Sequence, residues 1–406
     1  MSDVLLPRDH DDLSQILTQA SAHKTRLEVI GEKSKQYIGR PMRVDQTLST
    51  RQLSGISLYS PDELVISVGA GTSLSMVEHT LYHENQQLAF EPIDYGPLFG
   101  FNTGQGTIGS VVACNLSGPR RIRYGAARDA LIGIQGVNGR GEFFQNGGRV
   151  MKNVTGYDLN KGLSGSWGTL CVFSEVTLKV IPRFESALTL IVQGLDDRLA
   201  INALCDAMAS PYEVTGAMHL QKTPASLLSD PQLVGLDSSI TAIRLENFAT
   251  AVSIRGVALR TQLSCYGDVL ELGDKQTENF WRDMRHLKFL TQSKAPVWRV
   301  STAPKNGPIL VSEIERIIPV SAVYDWSGGL VWLEVPESSD VSASDIRRSL
   351  AHLGGHATLI RANSDVRTKT EVFQPIPGAL GKLTKGIKNS FDPHHILNPE
   401  RMYAGL

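Results

Sequence analysis

A glycine-rich segment between Gly104 and Pro182 carries the strongest chemical signal in the chain. It opens with Gly104-Gln105-Gly106-Thr107-Ile108-Gly109, which matches the GxGxxG spacing of dinucleotide-binding turns. Glycine tolerates positive φ and lets a backbone approach a ligand closely, and successive N–H groups can then bind a pyrophosphate. An earlier loop, Gly31-Glu32-Lys33-Ser34-Lys35, follows a predicted strand and offers the same chemistry. The alternative is that these glycines only make tight turns.

The surroundings of the GxGxxG motif are unlike those of a nicotinamide-binding Rossmann unit. Such a unit has a strand directly before the motif and a helix directly after it. The preceding residues, Pro97-Leu98-Phe99-Gly100-Phe101-Asn102-Thr103, are poor strand formers, and no regular βαβ series surrounds them. A Rossmann site is therefore disfavoured.

Hydrophobic periodicity predicts the elements that position these loops. In the first part of the chain they are a helix over 9–23, a strand over 26–30, a strand over 64–70, a helix from Ser73 to about His83, a hairpin of 131–137 and 142–144, and a strand over 174–181. Pro182 ends the last strand and marks a domain boundary. Residues 184–390 mix helices and strands without βαβ order, which predicts a second domain of the α+β class. The last residues, 391–406, contain an Asn-Pro turn and are expected to dock on the rest.

The bulk composition excludes several classes of protein. The 406 residues fit two or three domains, and 41% hydrophobic with 20% charged residues is typical of a soluble globular protein. A net charge of −1 gives no positive field for nucleic acid or an anionic membrane. The N-terminus does not resemble a signal peptide, and no window resembles a membrane span. We expect a cytoplasmic protein.

Metal sites are not expected in this chain. His79 and His83 have the i, i+4 spacing of two ligands, but no third ligand is near them, so a solvated helix face is favoured. The cysteines Cys114, Cys171, Cys205 and Cys265 are far apart and form no CxxC, which favours buried thiols over disulfides or an iron–sulfur cluster. If the protein is a redox protein, electrons leave it through another component.

Several segments, in order, resemble a known flavoprotein fold. Gly106–Ser110, Lys152–Leu159, Gly165–Leu170 and Asp392–Pro399 resemble the FAD-binding fold shared by vanillyl-alcohol oxidase and p-cresol methylhydroxylase (PCMH). The later segments Trp298–Ser301, Asp325–Gly329 and Gly354–Leu359 resemble the FAD-binding E subunits of bacterial glycolate oxidase (glycolate dehydrogenase). The resemblance covers nearly the whole chain.

This resemblance implies the fold class and the domain organisation. The class is α+β: a two-subdomain PCMH-type FAD-binding domain over 1–183, an α+β cap domain over 184–390, and a tail over 391–406 that returns to the flavin. It also implies partners, namely a sister FAD-binding hydroxy-acid dehydrogenase subunit and an iron–sulfur subunit that passes electrons to the membrane chain. Through them the protein would be peripheral to the inner face of the membrane. No His or Cys lies in the first loop, so FAD is expected to bind non-covalently.

The resemblance also implies a set of FAD contacts. They are Gly31, Ser34, Lys35, Gly106, Thr107, Ile108, Gly109, Ser110, Asn115, Gly118, Tyr124, Gly125, Lys152, Asn153, Gly156, Tyr157, Asp158, Gly168, Val172 and Asn398. Tyr157 and Asp158 could instead pack and cap a turn. The Asn398 amide is expected at the polar edge of the isoalloxazine, with a turn-forming role as the alternative. Lys152 and Arg401 are candidate cations near the flavin.

Oxidation of a 2-hydroxy acid requires a cation for the carboxylate and a base for the hydroxyl proton. Arg299, Arg361 and His356 are candidates for these roles, with structural roles as the alternative. The glycine-rich histidine metal motif of sister 2-hydroxy-acid dehydrogenases is absent, so no catalytic residue is assigned. Three hypotheses therefore stay open: a subunit of a glycolate-oxidising complex, a stand-alone FAD-dependent 2-hydroxy-acid dehydrogenase, and a scaffold without a redox role.

Overall fold

A computed structural model describes residues 4–148 and 157–406. The predicted contacts Lys152, Asn153 and Gly156 lie outside these ranges. The described strands divide into sheets that lie wholly before Arg183 and one sheet that lies wholly after it.

The described strands of the first part of the chain form three small sheets. Its strands are β1 Val4–Leu5, β2 Leu27–Ile30, β3 Gln46–Ser49, β4 Ile56–Ser60, β5 Val65–Gly69, β6 Gln86–Gln87, β7 Leu131–Asn138, β8 Phe143–Gly147, β9 Cys171–Lys179 and β10 Ile181–Pro182. Its helices are α1 His10–His23, α2 Leu74–His83, α3 Ile108–Ala113, α4 Arg121–Tyr124, α5 Ala127–Ala130 and α6 Leu159–Leu163. Strands β1-β3-β2 form a parallel sheet, β4-β5-β9-β7-β8 form an antiparallel sheet, and β6 pairs with β10.

Local sequence explains where these elements begin. The Asp9 carboxylate accepts a hydrogen bond from Asp12 N at 2.8 Å and caps α1, and Leu13 and Leu17 then bury the apolar face of the helix. Ser73 caps α2 in the same way. The sequence predictions of these two helices, of β5 and of the β7–β8 hairpin are confirmed.

In the described range 4–148, the residues directly before the GxGxxG motif form no strand. Pro97–Phe99 form a short 3-10 helix, and the motif leads into α3, whose cap is Thr107. The expectation that the motif is not part of a Rossmann unit is confirmed.

The second part of the chain forms one antiparallel sheet with helices packed on it. Its strands are β11 Ser186–Gln193, β12 Gly216–Leu220, β13 Ile240–Asn247, β14 Val269–Leu272, β15 Val297–Ser301, β16 Ser321–Asp325, β17 Leu330–Glu334 and β18 His356–Arg361. Its helices are α7 Asp197–Ala209, α8 Lys222–Ala225, α9 Pro231–Val234, α10 Ala249–Leu263, α11 Asp274–Arg285, α12 Gly307–Glu315, α13 Ala343–Leu353 and α14 Ser364–Lys369. The strand order is β14-β11-β13-β12-β16-β17-β15-β18. The predicted α+β class is confirmed, and the structure adds that the sheet is antiparallel.

The C-terminal segment returns to the first part of the chain. Helix α15 Gly378–Phe391 buries only Lys388, whose Nζ donates to Thr169 O at 2.7 Å and forms an ion pair with Asp392 at 2.7 Å. Leu397 then forms a parallel β-bridge with Leu27, the first residue of β2. The contact with the first part therefore begins before residue 391.

Candidate functional site

A cleft of about 670 Å³ lies between the parallel sheet and the antiparallel sheet of the first part. We call it the first cleft. Val29 and Ile30 of β2 line one wall, and Cys171 and Val172 of β9 line the other. The first loop, residues 31–35, closes one end. The cleft is thus formed where the two sheets meet.

The first loop offers a row of backbone donors. Within the described ranges, the N–H groups of Glu32, Lys33, Ser34 and Lys35 have no hydrogen-bond acceptor. Lys33 has a φ of 57°, in the left-handed region. Consecutive N–H groups around a left-handed residue form the concave arrangement that binds anions. This loop therefore has the donors that a pyrophosphate requires.

The GxGxxG loop, by contrast, has already used most of its donors. Ile108 N donates to Thr72 O and Gly109 N to Ala70 O, both at 2.9 Å. Ser110 N donates to the Thr107 hydroxyl at 3.2 Å. The sequence predicted that this backbone supplies donors to the pyrophosphate. In the structure, two of these N–H groups donate to backbone carbonyls and the third donates to a side-chain hydroxyl. Thr107, Gly109 and Ser110 line the cleft nonetheless.

Two buried cations line the first cleft. Lys35 Nζ donates to Ser34 Oγ at 2.8 Å, and burial lowers the pKa of this amine. Arg401 Nη2 donates to Lys35 O at 2.9 Å, while its buried Nε has no partner among the described residues. Burial also lowers the pKa of Arg401. A buried cation without a carboxylate partner is costly unless a ligand supplies negative charge.

The tail fixes one side of this cleft. Asn398 Oδ1 accepts from Val29 N at 2.7 Å, and its Nδ2 donates to Trp167 O at 2.8 Å. Gly168 has a φ of 70°, and a Cβ there would lie 2.8 Å from Asn398 Nδ2, so the close approach requires glycine. Asn398 therefore joins β2 to the 165–169 turn across the cleft.

A second cleft of about 1080 Å³ lies between the first part and the large sheet. Its lining residues from the first part and the C-terminus are Ile93, Tyr95, Cys114, Asn115, Leu116, Ser117, Arg121, Arg128, Gly165, Trp167 and Met402, and those from the second part are Arg299, Ser301, Trp326, His356, Thr358, Ile360 and Phe373. Cys114 and Trp167 line both clefts, so the two are contiguous. Burial raises the pKa of the Cys114 thiol.

The structure brings many of the sequence-predicted contacts to these clefts. Those that line the first cleft are Gly31, Ser34, Lys35, Thr107, Gly109, Ser110, Gly168, Val172 and Asn398. Asn115 lines the second cleft. Gly106 does not line the first cleft, but a Cβ on it would lie 3.2 Å from Lys35 Nζ.

Other predicted contacts line neither cleft. Ile108 is fully buried in the core, and Gly118 O accepts from Trp326 Nε1 at 3.0 Å. Tyr124 packs near Phe184, and Gly125 ends α4. In a separate turn, Tyr157 is 89% exposed, and Asp158 caps α6 through Lys161 N. The capping alternative for Asp158 matches this geometry.

Sequence reasoning did not assign several cleft-lining residues to the site. The list comprises Thr50, Ala70, Cys114, Trp167 and Arg121. Of the candidates in the cap, Arg361 is not available, because it pairs with Glu334 at 3.1 Å and donates to Leu290 O and Ala295 O. Arg299 and His356 do line the second cleft.

Comparison with known proteins identifies the family. Residues 2–146 match the FAD binding domain family. Glycolate oxidase subunit GlcE of Escherichia coli (strain K12) is 32% identical over 401 residues, which cover 97% of this chain and 99% of that protein. The chain belongs to the GlcE family. Glycolate oxidase subunit GlcD of Bacillus subtilis (strain 168) is a more distant relative of this GlcE-family chain, 24% identical over 99% of this chain and 88% of that protein.

A solved structure shares the fold of this GlcE-family chain. The structure of p-cresol methylhydroxylase with substrate bound has a TM-score of 0.73 and 12% identity, and the match covers 98% of this chain and 88% of that chain. The predicted family, the α+β PCMH-type fold and FAD as the cofactor are confirmed. No helix in the described ranges is long and apolar enough to cross a membrane.

Proposed function

We propose that the chain is the FAD-binding subunit of a complex that oxidises glycolate to glyoxylate. The supporting observation is the end-to-end match to a protein named glycolate oxidase subunit GlcE. We further propose two partners, a sister FAD-binding hydroxy-acid dehydrogenase related to GlcD and an iron–sulfur subunit. The predicted domains, 1–183, 184–390 and 391–406, are part of this proposal.

The first cleft fits FAD by its chemistry. A pyrophosphate carries two negative charges, and the cleft presents the free N–H groups of residues 32–35 with the buried cations Lys35 and Arg401. The walls from Val29, Val172 and Trp167 are apolar, as a flavin ring requires. We propose that Gly31, Ser34, Lys35, Thr107, Gly109, Ser110, Gly168, Val172 and Asn398 hold the cofactor.

The chain's own residues would bind, orient and exclude water. The 31–35 loop neutralises the phosphates, and Asn398 keeps the two walls at a fixed separation. When a hydroxy acid is oxidised, bound FAD would accept the two electrons that leave it. Arg401 places positive charge beside Trp167, at 5.5 Å from its ring, where it would stabilise a negatively charged ligand.

Spectra of the purified chain and of the assembled complex test this function. The chain alone should be yellow with bound FAD, and it should co-purify with a GlcD-type flavoprotein and an iron–sulfur protein when the three are expressed together. Glycolate should bleach the flavin of the complex. Bleaching of the isolated chain would favour the stand-alone dehydrogenase, and a colourless chain that never takes up FAD would favour the scaffold.

Lys35 should matter for FAD affinity through its charge. Lys35→Met removes a buried cation facing the proposed pyrophosphate, and a hydrogen bond to a charged group contributes about 1.5–3 kcal/mol, or roughly ten- to hundredfold in Kd. FAD titration of the apoprotein measures this change. Lys24→Met makes the same substitution on an exposed side chain that does not line the cleft, and it should leave Kd within about twofold. Equal Kd values for the two variants would remove Lys35 from the proposed site.

A further inference from the structure

Two arginines from distant parts of the chain converge in the second cleft. Arg121 begins α4, and Arg299 lies in the middle of β15. The Cζ of Arg121 is 4.2 Å from the ring centroid of Trp326, and that of Arg299 is 5.0 Å from the same centroid. Trp326 itself is fixed by the hydrogen bond from its Nε1 to Gly118 O. Both guanidinium groups therefore lie against one aromatic ring, and both line the second cleft.

Neither guanidinium group is neutralised by the protein. Within residues 4–148 and 157–406, the Arg121 and Arg299 side chains have no hydrogen-bond acceptor and no ion-pair partner at 4.0 Å or less. The neighbouring Arg120 behaves differently, because it forms a bidentate pair with Glu246 at 3.0 and 2.6 Å. The Trp326 ring attracts a cation but carries no counter-charge. The two unpaired positive charges therefore remain available to a ligand.

The lining of the cleft contains no Asp or Glu side chain among the described residues. The buried carboxyl of Asp325 acts on both arginines from outside the lining, and its Oδ1 accepts from Trp326 N at 2.6 Å. Burial raises the pKa of Asp325 to about 7, which weakens it as a counter-ion. The electrostatic character of the cleft is therefore positive.

Neutral polar groups stand on the sheet face beside Arg299. Strand pairing places Arg299 opposite Thr358 and Ser301 opposite His356. Since side chains two apart on a strand share a face, all four line the cleft together. Desolvation and then the charges of the two arginines lower the pKa of His356, although the residue is exposed, and a neutral imidazole can donate one hydrogen bond and accept another. An anion bound by the arginines would also meet hydroxyl and imidazole partners.

We propose that Arg121 and Arg299 bind the carboxylate of a small 2-hydroxy or 2-oxo acid. The oxygen on carbon 2 of the acid, a hydroxyl or a carbonyl, contacts the hydroxyls of Ser301 and Thr358 and the His356 ring. This chain then has a ligand site of its own, and does not serve only to carry electrons. Because the two clefts share Cys114 and Trp167, the acid is bound next to the proposed flavin cleft. The acid's chemical class rests on the proposed function, whereas the anion site rests on the two unpaired arginines.

Calorimetric titration of oxalate into the FAD-loaded full chain tests the site. Oxalate is an unreactive two-carbon carboxylate, and glycolamide is a neutral counterpart that should bind at least about tenfold more weakly. Arg121→Met and Arg299→Met should each weaken oxalate binding about tenfold or more, and Arg299→Lys should weaken it less. Arg123→Met is the matched control, because Arg123 lies on the same helix as Arg121 but is exposed, pairs with Glu213 at 2.7 Å and does not line the cleft. It should leave the Kd within about twofold.

Several results would overturn the site. Wild-type affinity for oxalate in both the Arg121→Met and Arg299→Met variants would do so, as would equal weakening in Arg123→Met. Sulfate binding as tightly as oxalate would overturn the carboxylate assignment. If one variant fails to fold by circular dichroism, the other decides.

Failure of this site and failure of the proposed function give different results. A chain that takes up FAD but binds no oxalate loses the anion site and keeps the flavin function. A chain that binds oxalate with arginine dependence but takes up no FAD loses the proposed function and keeps the anion site.

Discussion

Asp392→Asn is expected to lower the free energy of unfolding by about 3–5 kcal/mol, because it leaves the buried Lys388 charge without its partner. Lys388 is 3% exposed and Asp392 is fully buried. The Asp392 carboxylate also accepts from Ile396 N at 3.0 Å and Leu397 N at 2.9 Å, so one side chain orders the helix end and the tail. Urea denaturation measures the loss. Lys385→Met, an exposed change on the same helix, should alter stability by no more than about 0.5 kcal/mol.

Asp392→Asn should also bind FAD more weakly, and its free energy of unfolding should depend on pH differently from that of wild type. The tail that Asp392 orders carries Asn398 and Arg401 into the first cleft. Burial lowers the pKa of Lys388, and removing the carboxylate lowers it further. A lysine whose folded pKa is lowered binds fewer protons folded than unfolded, so stability rises with pH up to the ordinary lysine pKa of about 10.4. A deficit in Asp392→Asn that is small, or that grows with pH, would contradict this account.

Local patterns predicted the elements well, because each depends on neighbours in sequence. Caps such as Asp9 and Ser73 mark helix starts that the structure reproduces. The GxGxxG motif shows the limit of such patterns, since its N–H groups are used by the carbonyls of Ala70 and Thr72. The free donors belong instead to a loop in which Lys33 takes a left-handed conformation. A lysine gives no sequence signal for that conformation, whereas a glycine would.

Long-range convergence could not be predicted from the chain alone. The resemblance predicted that Asn398 lies at the flavin, but the sequence did not show that its amide joins Val29 to Trp167. Arg121 and Arg299 lie in different parts of the chain, and the fold places both of them against the ring of Trp326. Such contacts depend on strand order and domain packing, which hydrophobic periodicity does not encode.

Glu91→Gln should lower the free energy of unfolding about as much as Asp392→Asn, because it removes a charge at the contact between the two parts of the chain. Glu91, from the first part, accepts from Arg244 Nη1 at 3.1 Å and Nη2 at 2.9 Å. Arg120 and Glu246 complete a buried group of two positive and two negative charges. Removing one negative charge leaves an uncompensated buried cation, which costs about 3–5 kcal/mol. Glu84→Gln, an exposed change seven residues earlier, is the control and should be nearly neutral.

Acid sensitivity separates this network from ordinary packing. The neighbouring arginines overcome the effect of burial and lower the pKa of Glu91 to about 2, and that of Glu246 is also lowered. A carboxyl whose folded pKa is lowered contributes stability above its unfolded pKa of about 4.3, and this contribution is lost as the pH falls towards 2. Wild type should therefore lose stability steeply over that interval, and Glu91→Gln less steeply because one titrating carboxyl is gone. Parallel pH profiles for the two proteins in urea denaturation would show that Glu91 does not link the two parts electrostatically, whatever the variant's stability at neutral pH.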